Sequence, residues 1–162
     1  MNKERIWNLF FIIGIFALDR LTKIAIINST DLYGEKIFTI TSFLNLNLIW
    51  NDGIAFGMLS FQEKNYYNFL TGIIILITII IFWMITKTKK IEKVAFMMIF
   101  GGSIGNIFDR LYYSSVPDFI DFHINNFHWF IFNIADIFIS IGVFFMILYE
   151  IIDNNSDKNE KY

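Results

Sequence analysis

The chain of 162 residues contains no cysteine. A disulfide, a thiol nucleophile and a thiolate metal site are therefore excluded, and any catalysis must use other side chains. Basic residues are not in excess either, because 13 lysines and arginines stand against 15 acids and give a formal net charge of -2. A nucleic-acid partner would require a basic surface, so this composition argues against one. The sequence also lacks internal repeats and low-complexity linkers, and it predicts a single domain over 1–162.

Apolar residues are what the chain has in excess. They make up 56% of the sequence, and the mean hydropathy of +0.53 is above what soluble domains usually carry. The sequence therefore predicts an integral membrane protein that is mainly α-helical. Four apolar segments are close to the length that crosses a bilayer, and a polar tail over 153–162 is predicted to be disordered. The predicted spans are 6–27, 69–86, 94–112 and 129–151.

The first apolar segment has two competing interpretations. A secretory signal peptide is one, but the segment is long and ends in acid and base without a small-residue cleavage site, which favours a membrane span. Asp19 and Lys23 are four residues apart, so on a helix they share a face and can neutralise each other. A structural ion pair in which Lys23 reaches towards the membrane surface is the simpler interpretation of these two residues.

Residues 30–66 differ in kind from the apolar segments. Apolar and polar residues alternate over 43–50, as in a half-buried strand, and Asn51, Asp52 and Gly53 supply a turn. Because an open sheet edge cannot face lipid, we expect a small antiparallel β-sheet on the extracytoplasmic surface of the membrane. A second strand or a loop is predicted at 54–57, and an interfacial lead-in to the second span at 62–68.

Basic residues set the predicted orientation. Lysine and arginine concentrate in the N-terminal head, in the 86–93 loop and in the tail, which the positive-inside rule assigns to the cytoplasm. Residues 112–128 contain neither lysine nor arginine and are predicted to form an external loop. The chain is thus predicted to be a multi-pass protein with both termini in the cytoplasm.

Several costly polar groups are predicted to lie at one depth. The first and third helices carry theirs near the outer end, and at about 1.5 Å per residue Asn133 and Asp136 lie roughly 6 and 10 Å below the outer interface. Ionisable groups at such a depth are rare and mark functional sites by default. The groups that converge in the outer leaflet, with the loop above it, are Asp19, Lys23, Asn106, Asp109, Arg110, Asp118, Asn133 and Asp136.

Asp118 and Asp136 are the two acids of this set that have no adjacent base, so they are the most free to face a common water. Two close carboxylates cannot both ionise at modest cost, and one of them then keeps a proton while the other acts as a base. Such a pair can hydrolyse a peptide. Against this, Asp118 after Pro117 is also typical of a turn or helix cap.

Three other interpretations of these residues remain open at this point: a metal site, an ion-coupled carrier and a non-enzymatic scaffold. His123 and His128 could hold a metal with Asp118 or Asp121, but they lack ligand-spaced partners, and neither a metal nor another cofactor is predicted. Asp121 beside His123 already has a partner that would hold it ionised. A proton- or ion-coupled carrier needs access from both sides, whereas the inner halves of the predicted helices lack titratable groups. The third possibility is a non-enzymatic membrane scaffold.

Five sequence blocks follow one another along the chain: DRLTK at 19–23, NDGIAFG at 51–57, GGSIGNIFDR at 101–110, DFI at 118–120 and FNIAD at 132–136. In content and order these blocks resemble the bacterial lipoprotein signal peptidases, also called type II signal peptidases. In the family, the acid before Phe-Ile and the acid that closes Asn-x-Ala-Asp form the catalytic pair, which corresponds to Asp118 and Asp136. The same match implies substrate-binding or supporting roles for Asp19, Lys23, Asn51, Gly53, Asn106, Asp109, Arg110 and Asn133.

The resemblance implies an intramembrane aspartic endopeptidase of the bacterial cell (inner) membrane. Such enzymes act among membrane lipids on diacylglyceryl-prolipoproteins, cut just before the lipidated cysteine, and are inhibited by the cyclic peptide globomycin. The family's fold is a bundle of four transmembrane helices with an extracytoplasmic β-cradle and a short interfacial helix. Ile54, Ser114 and Pro117 stand where the family commonly has a smaller residue, a glycine and a valine.

Overall fold

A computed structural model describes residues 3–34, 37–53, 64–125 and 127–159. Within these ranges the chain forms four helices and four strands. The helices are α1 (Lys3–Tyr33), α2 (Lys64–Lys87), α3 (Lys90–Tyr113) and α4 (Ile134–Asn159). The strands are β1 (Ile37–Thr41), β2 (Leu44–Asn51), β3 (Val116–Ile124) and β4 (Phe127–Phe132). The predicted fold class, a mainly helical membrane protein with a small antiparallel sheet, is confirmed.

Three of the described helices are long and apolar enough to cross a membrane, by length and composition: Tyr67–Lys87, Lys90–Tyr113 and Ile134–Ile152. The remaining helix, α1, is 31 residues long but carries Asp19, Arg20 and Lys23 in its second half. Those charges lower its mean hydropathy, although they are themselves buried against the rest of the bundle. The count of four spans therefore stays a prediction.

Helix α3 lies at the centre of the bundle and packs against α1, α2 and α4. Glycines allow the closest of these approaches. A Cβ at Gly102 would lie 2.5 Å from the backbone oxygen of Ala135, and a Cβ at Gly142 would lie 2.7 Å from that of Ala95. Small residues are what membrane helices use to bring backbones together. The two helices that carry Asn106 and Asp136 are therefore held close along their length.

The strands form one antiparallel sheet in the order β1-β2-β3-β4. Its two central strands pair so that Ile49 of β2 is opposite Asp118 of β3. Leu48 and Phe119 pack with Ile26 of α1 in a buried cluster. This cluster fixes the sheet to the end of the bundle where α1 terminates.

The sequence predicted part of this sheet and missed the rest. The strand predicted over 43–50 is confirmed as β2, but the loop predicted over 112–128 is wrong, because β3 and the start of β4 occupy it. The fourth helix begins at Ile134 and not at residue 129, since the apolar residues before it form β4. Hydropathy does not distinguish an apolar strand from the start of an apolar helix. In addition, β3 is buried over its first four residues, so it shows no alternation there.

Two further predictions concern the ends of helices. The tail predicted to be disordered over 153–162 is helical as far as Asn159, because a formed helix extends at the cost of ordering only one more residue for each hydrogen bond gained. The interfacial lead-in predicted over 62–68 is, from Lys64 onwards, the first turns of α2. Residues 54–63, and with them the strand or loop predicted at 54–57, lie outside the described residues.

Candidate active site

Asp118 lies in β3 beside the end of β2, and its side chain is buried. Its two carboxylate oxygens accept hydrogen bonds from two amides, Asn51 Nδ2 at 2.8 Å and Asn133 Nδ2 at 2.6 Å. The Asn51 amide is itself oriented by the predicted turn, because the backbone N–H of Gly53 donates to Asn51 Oδ1 at 2.9 Å. The turn after β2 therefore fixes which end of the amide faces Asp118.

The environment of Asp118 favours its protonated form. The pKa of Asp118 is raised from 3.8 to about 7, chiefly by burial and then by the negative charge of Asp136. The hydrogen bonds from Asn51 and Asn133 act the other way, since they stabilise the carboxylate. Desolvation is the largest of these effects, so the carboxyl of Asp118 exchanges its proton close to neutral pH.

Asp136 lies in the first turn of α4, where its position follows from helix capping. The backbone N–H of Asn133 donates to Asp136 Oδ2 at 3.1 Å, and the backbone N–H of Asp136 donates to Asn133 Oδ1 at 3.1 Å. This reciprocal pair has the geometry of a capping box and starts the helix at Ile134. The other oxygen of Asp136 accepts a hydrogen bond from Asn106 Nδ2 at 2.8 Å.

Asn133 connects the two acids. It is fully buried, and it donates to Asp118 through its side chain and to Asp136 through its backbone N–H. Both acids also line one cavity of about 200 Å³. The convergence of these two acids, which was predicted from their expected depth in the membrane, is therefore present in the fold. The cavity is lined by Asn51, Ile74, Ser103, Asn106, Arg110, Val116, Asp118, Asp136, Ile139 and Ser140.

A buried ion cluster lies directly behind Asn106. Lys23 Nζ contacts Asp19 at 2.9 Å and Asp109 at 2.6 Å, and Arg20 pairs with both of these acids. Two bases thus neutralise two acids in a site whose side chains are at most 10% exposed. The predicted pairing of Asp19 with Lys23 is confirmed, but Lys23 does not reach the membrane surface, because its side chain is fully buried.

This cluster is linked to the two acids through hydrogen bonds. Lys23 Nζ donates to Asn106 Oδ1 at 2.9 Å, which leaves the Asn106 amide nitrogen to face Asp136. Asp19 Oδ1 accepts from the backbone N–H of Ala135 at 3.1 Å and so caps α4 as well. Asp19 fits there because Gly105 has no Cβ, which would lie 2.6 Å from its Oδ2.

Arg110 joins α3 to the turn after β2. Its Nη2 donates to the backbone oxygen of Gly53 at 3.0 Å, and its Nη1 donates to that of Asn106 at 3.3 Å. The guanidinium is buried and lines the cavity. Asp109 and Arg110 are neighbours in sequence but reach different partners, Lys23 and the backbone of Gly53.

Asp121 does not belong to this cavity. Its partner is His128 and not His123, since both of its carboxylate oxygens lie 2.9 Å from His128 Nδ1. The prediction that His123 is the partner of Asp121 was wrong, because the β3–β4 hairpin brings His128 next to Asp121.

Sequence reasoning also missed Arg20 and Ser103. A charge next to Asp19 inside an apolar segment is the signal that could have found Arg20.

An apolar groove adjoins the cavity and shares Asp136 and Ser140 with it. The groove has a volume of about 460 Å³ and runs between the sheet and α4. Its lining residues are Phe122, Trp129, Phe130, Phe132, Asp136, Ile137, Ser140 and Ile141. A mainly apolar surface, half of whose residues are aromatic, thus leads to one of the two acids.

Solved structures with the same fold define the class of protein. One, a bacterial membrane enzyme determined in meso at 2.3 Å resolution, superposes with a TM-score of 0.71 and 28% sequence identity over 92% of this chain and 90% of its own. A second bacterial membrane enzyme, determined in meso at 1.9 Å, gives a TM-score of 0.66 and 29% identity over 88% of this chain and 90% of its own. The protein is thus a bacterial membrane protein with the fold of membrane enzymes.

Sequence comparison identifies the family within that class. The model of the signal peptidase (SPase) II family matches residues 11–152. The lipoprotein signal peptidase of Pelagibacter ubique is 49% identical over 95% of this chain and 93% of its own length, and that of Ralstonia nicotianae is 41% identical over 83% and 78%. The chain belongs to the signal peptidase II family, as the resemblance of its motifs implied.

Proposed function

We propose that the protein is an aspartic endopeptidase that removes the signal peptide of diacylglyceryl-modified prolipoproteins, cutting immediately before the lipidated cysteine. One observation carries the proposal: Asn133 hydrogen-bonds both Asp118 and Asp136, and these acids line the same cavity. Paired acids held in this way are the arrangement that peptide hydrolysis by an acid dyad requires.

The chemistry follows from one proton shared between the two acids. The ionised carboxylate takes a proton from a water in the cavity, and the water oxygen attacks the carbonyl carbon of the scissile peptide bond. The protonated carboxyl stabilises the oxygen of the resulting tetrahedral centre. The C–N bond then breaks as a proton passes from the pair to the leaving amine, and the pair returns to its one-proton state.

The supporting residues keep the pair in geometry. Asn51 and Asn133 use the two oxygens of Asp118, and Asn106 and Asn133 use those of Asp136, so neither carboxylate is free to rotate. Lys23 acts through Asn106 and is a positioning residue. Buried and satisfied networks of this kind hold reacting groups in register.

The apolar groove supports the lipidated substrate class. It opens onto Asp136 and is lined by aromatic and aliphatic side chains, which suits the acyl chains or the apolar segment of a membrane-anchored precursor. Globomycin, a cyclic peptide inhibitor of such enzymes, is expected to compete for the same place.

The proposed topology puts the site at the outer leaflet and both termini in the cytoplasm. Glu4 of α1 and Lys93 of α3 pair at 2.8 Å, so the basic ends of the helices meet on one side of the bundle, as the positive-inside rule requires. Single cysteines can be placed in this cysteine-free chain. An impermeant reagent on intact cells should label Asp31→Cys and spare Lys89→Cys, and the opposite pattern would invert the topology.

The deciding experiment is cleavage of a purified diacylglyceryl-prolipoprotein in detergent, with and without globomycin. Asp118→Asn and Asp136→Asn should each abolish cleavage, because an amide keeps the shape of the carboxyl but cannot exchange its proton. The exposed acid Asp31 supplies the matched control, and Asp31→Asn should cleave at the normal rate. Asp121→Asn should retain activity, since it lies outside the cavity.

Two outcomes separate this function from its rivals. Loss of activity in Asp121→Asn together with full activity in Asp118→Asn would show that Asp118 is not a member of the catalytic pair. Cleavage by neither the wild type nor any variant, together with proton uptake into vesicles that depends on Asp136, would favour an ion-coupled carrier.

A further inference from the structure

Both histidines of the chain lie at the end of the β3–β4 hairpin. His123 and His128 are directly opposite each other across the two strands, and their rings stack with centroids 5.2 Å apart and 22° between planes. Asp121 precedes His123 by two residues and contacts His128 at 2.9 Å. One ligand atom from each of these three residues lies within 4.8 Å of the other two.

Polar atoms around this cluster lack partners among the described residues. His123 Nδ1 is buried without a hydrogen-bond partner, and so is Asn45 Oδ1. Asn45 is directly opposite Asp121 on β2, so its side chain lies on the same face of the sheet. Buried polar atoms without partners are rare in folded proteins. The contact of Asp121 with His128 accounts for neither of these two atoms.

We propose that Asp121, His123 and His128 bind one divalent metal ion of the zinc class. Imidazole and carboxylate are the ligands that zinc takes beside thiolate, and three protein ligands leave one position for water. With metal–ligand bonds of about 2.0 to 2.2 Å, tetrahedral ligand atoms lie roughly 3.3 to 3.6 Å apart. The candidate ligand atoms lie within 4.8 Å of one another, so rotations about side-chain bonds would have to bring the farthest of them about 1.2 to 1.5 Å closer to complete the site.

The exposed side chain of His128 gives the metal a route to the site, and the position of the site outside the cavity limits its role. The side chain of His128 is 51% exposed while that of Asp121 is 1% exposed, so an ion can enter from the surface and meet a buried charge. None of the three ligands lines the cavity that holds Asp118 and Asp136. The metal would therefore crosslink β3 to β4 and stabilise the strand that carries Asp118, without contacting the reacting atoms.

The test is zinc titration of the full-length protein in detergent, freed of its affinity tag and of metal by a chelator, followed by calorimetry. The wild type should bind Zn²⁺ at one saturable site. His123→Ala and His128→Ala should each weaken binding by at least about tenfold, since even loss of an outer partner of a metal ligand typically costs that much. The matched control Asp31→Asn should bind as the wild type does.

His123→Ala is the more informative variant, because His123 Nδ1 makes no protein hydrogen bond and its loss should leave the fold intact. A second measurement is the midpoint of thermal unfolding with and without Zn²⁺. At one Zn²⁺ concentration the midpoint should rise in the wild type and in Asp31→Asn and should rise clearly less in His123→Ala, because a ligand stabilises the folded state in proportion to how tightly it binds. Co²⁺ should give the visible absorption of a tetrahedral site with the wild type and not with His123→Ala.

The absence of saturable zinc binding in the wild type would overturn the proposal. Equal affinity in the wild type, His123→Ala and His128→Ala would also overturn it, since the ion would then be held by acids elsewhere on the surface. No step of this test measures cleavage, so its result is independent of the proposed peptidase function.

Discussion

Replacing Asp118 by asparagine should change how the stability of the protein depends on pH. The folded state raises the pKa of Asp118 from 3.8 to about 7, so over this interval the folded protein holds a proton that the unfolded chain has released. The stabilisation that comes with this proton is complete at pH values below the unfolded pKa and is lost as the pH rises through the folded pKa. Asp118→Asn has no such proton, and its stability should not show this loss.

The size of the effect follows from the interval that an experiment can cover. Between about pH 5 and about pH 9, only the two units up to the folded pKa contribute, and at 1.36 kcal/mol per unit the wild type loses roughly 2.7 kcal/mol relative to Asp118→Asn. For a chain of this length, that corresponds to a relative shift in the unfolding midpoint of roughly 5 to 11 °C. Because Asp118 is 3% exposed, solvent screening does not reduce this figure substantially.

The assay is thermal unfolding in detergent at both pH values for the wild type, Asp118→Asn and the exposed control Asp31→Asn. Other groups titrate in all three proteins, and the difference between curves reports Asp118 together with its coupling to Asp136. The wild type and Asp31→Asn should lose stability in parallel, while Asp118→Asn should gain on both as the pH rises. Parallel curves for all three would refute the burial argument for Asp118.

Three further predictions concern the site and its framework. Cleavage of a lipidated precursor should decline as the pH rises through about 7, the pKa of Asp118, because the two acids then lose the proton that they share. A cleavage rate that stays level to about pH 9 would contradict the shared proton. Gly102→Ala should lower the unfolding midpoint by several degrees, since overpacking costs about 1 to 3 kcal/mol where a Cβ would meet the backbone of α4 at 2.5 Å. Gly72→Ala, which has nothing within 4 Å, should be neutral or stabilising in the same melts, and equal losses would show that the helices can move apart. Arg110→Ala should lower both stability and turnover, because it removes the buried guanidinium that donates to the backbone oxygen of Gly53, whereas the exposed Arg5→Ala should change neither; indistinguishable variants would place Arg110 outside the network.

Local patterns in the sequence predicted several features of the site correctly. The spacing of Asp19 and Lys23 predicted their ion pair, and Asn51 with Gly53 predicted the turn after β2. These features depend on neighbours within a few residues, and helix or turn geometry alone decides them. The depth argument for Asn106, Asn133 and Asp136 needed only the rise per residue of a helix and the cost of charge in a bilayer.

The tertiary structure decided which partners these side chains take across the chain. Lys23 and Arg20 reach Asp109 from another helix, and Asn133 reaches Asp118 from the junction between β4 and α4. Asp121 pairs with His128 across a hairpin that hydropathy had assigned to a loop and a span. Composition and hydropathy thus determined that this is a membrane protein with costly polar groups near one end of its helices. Only the packed fold determined how their charges are neutralised, because pairing within a low-dielectric interior depends on distances of a few ångströms between residues far apart in sequence.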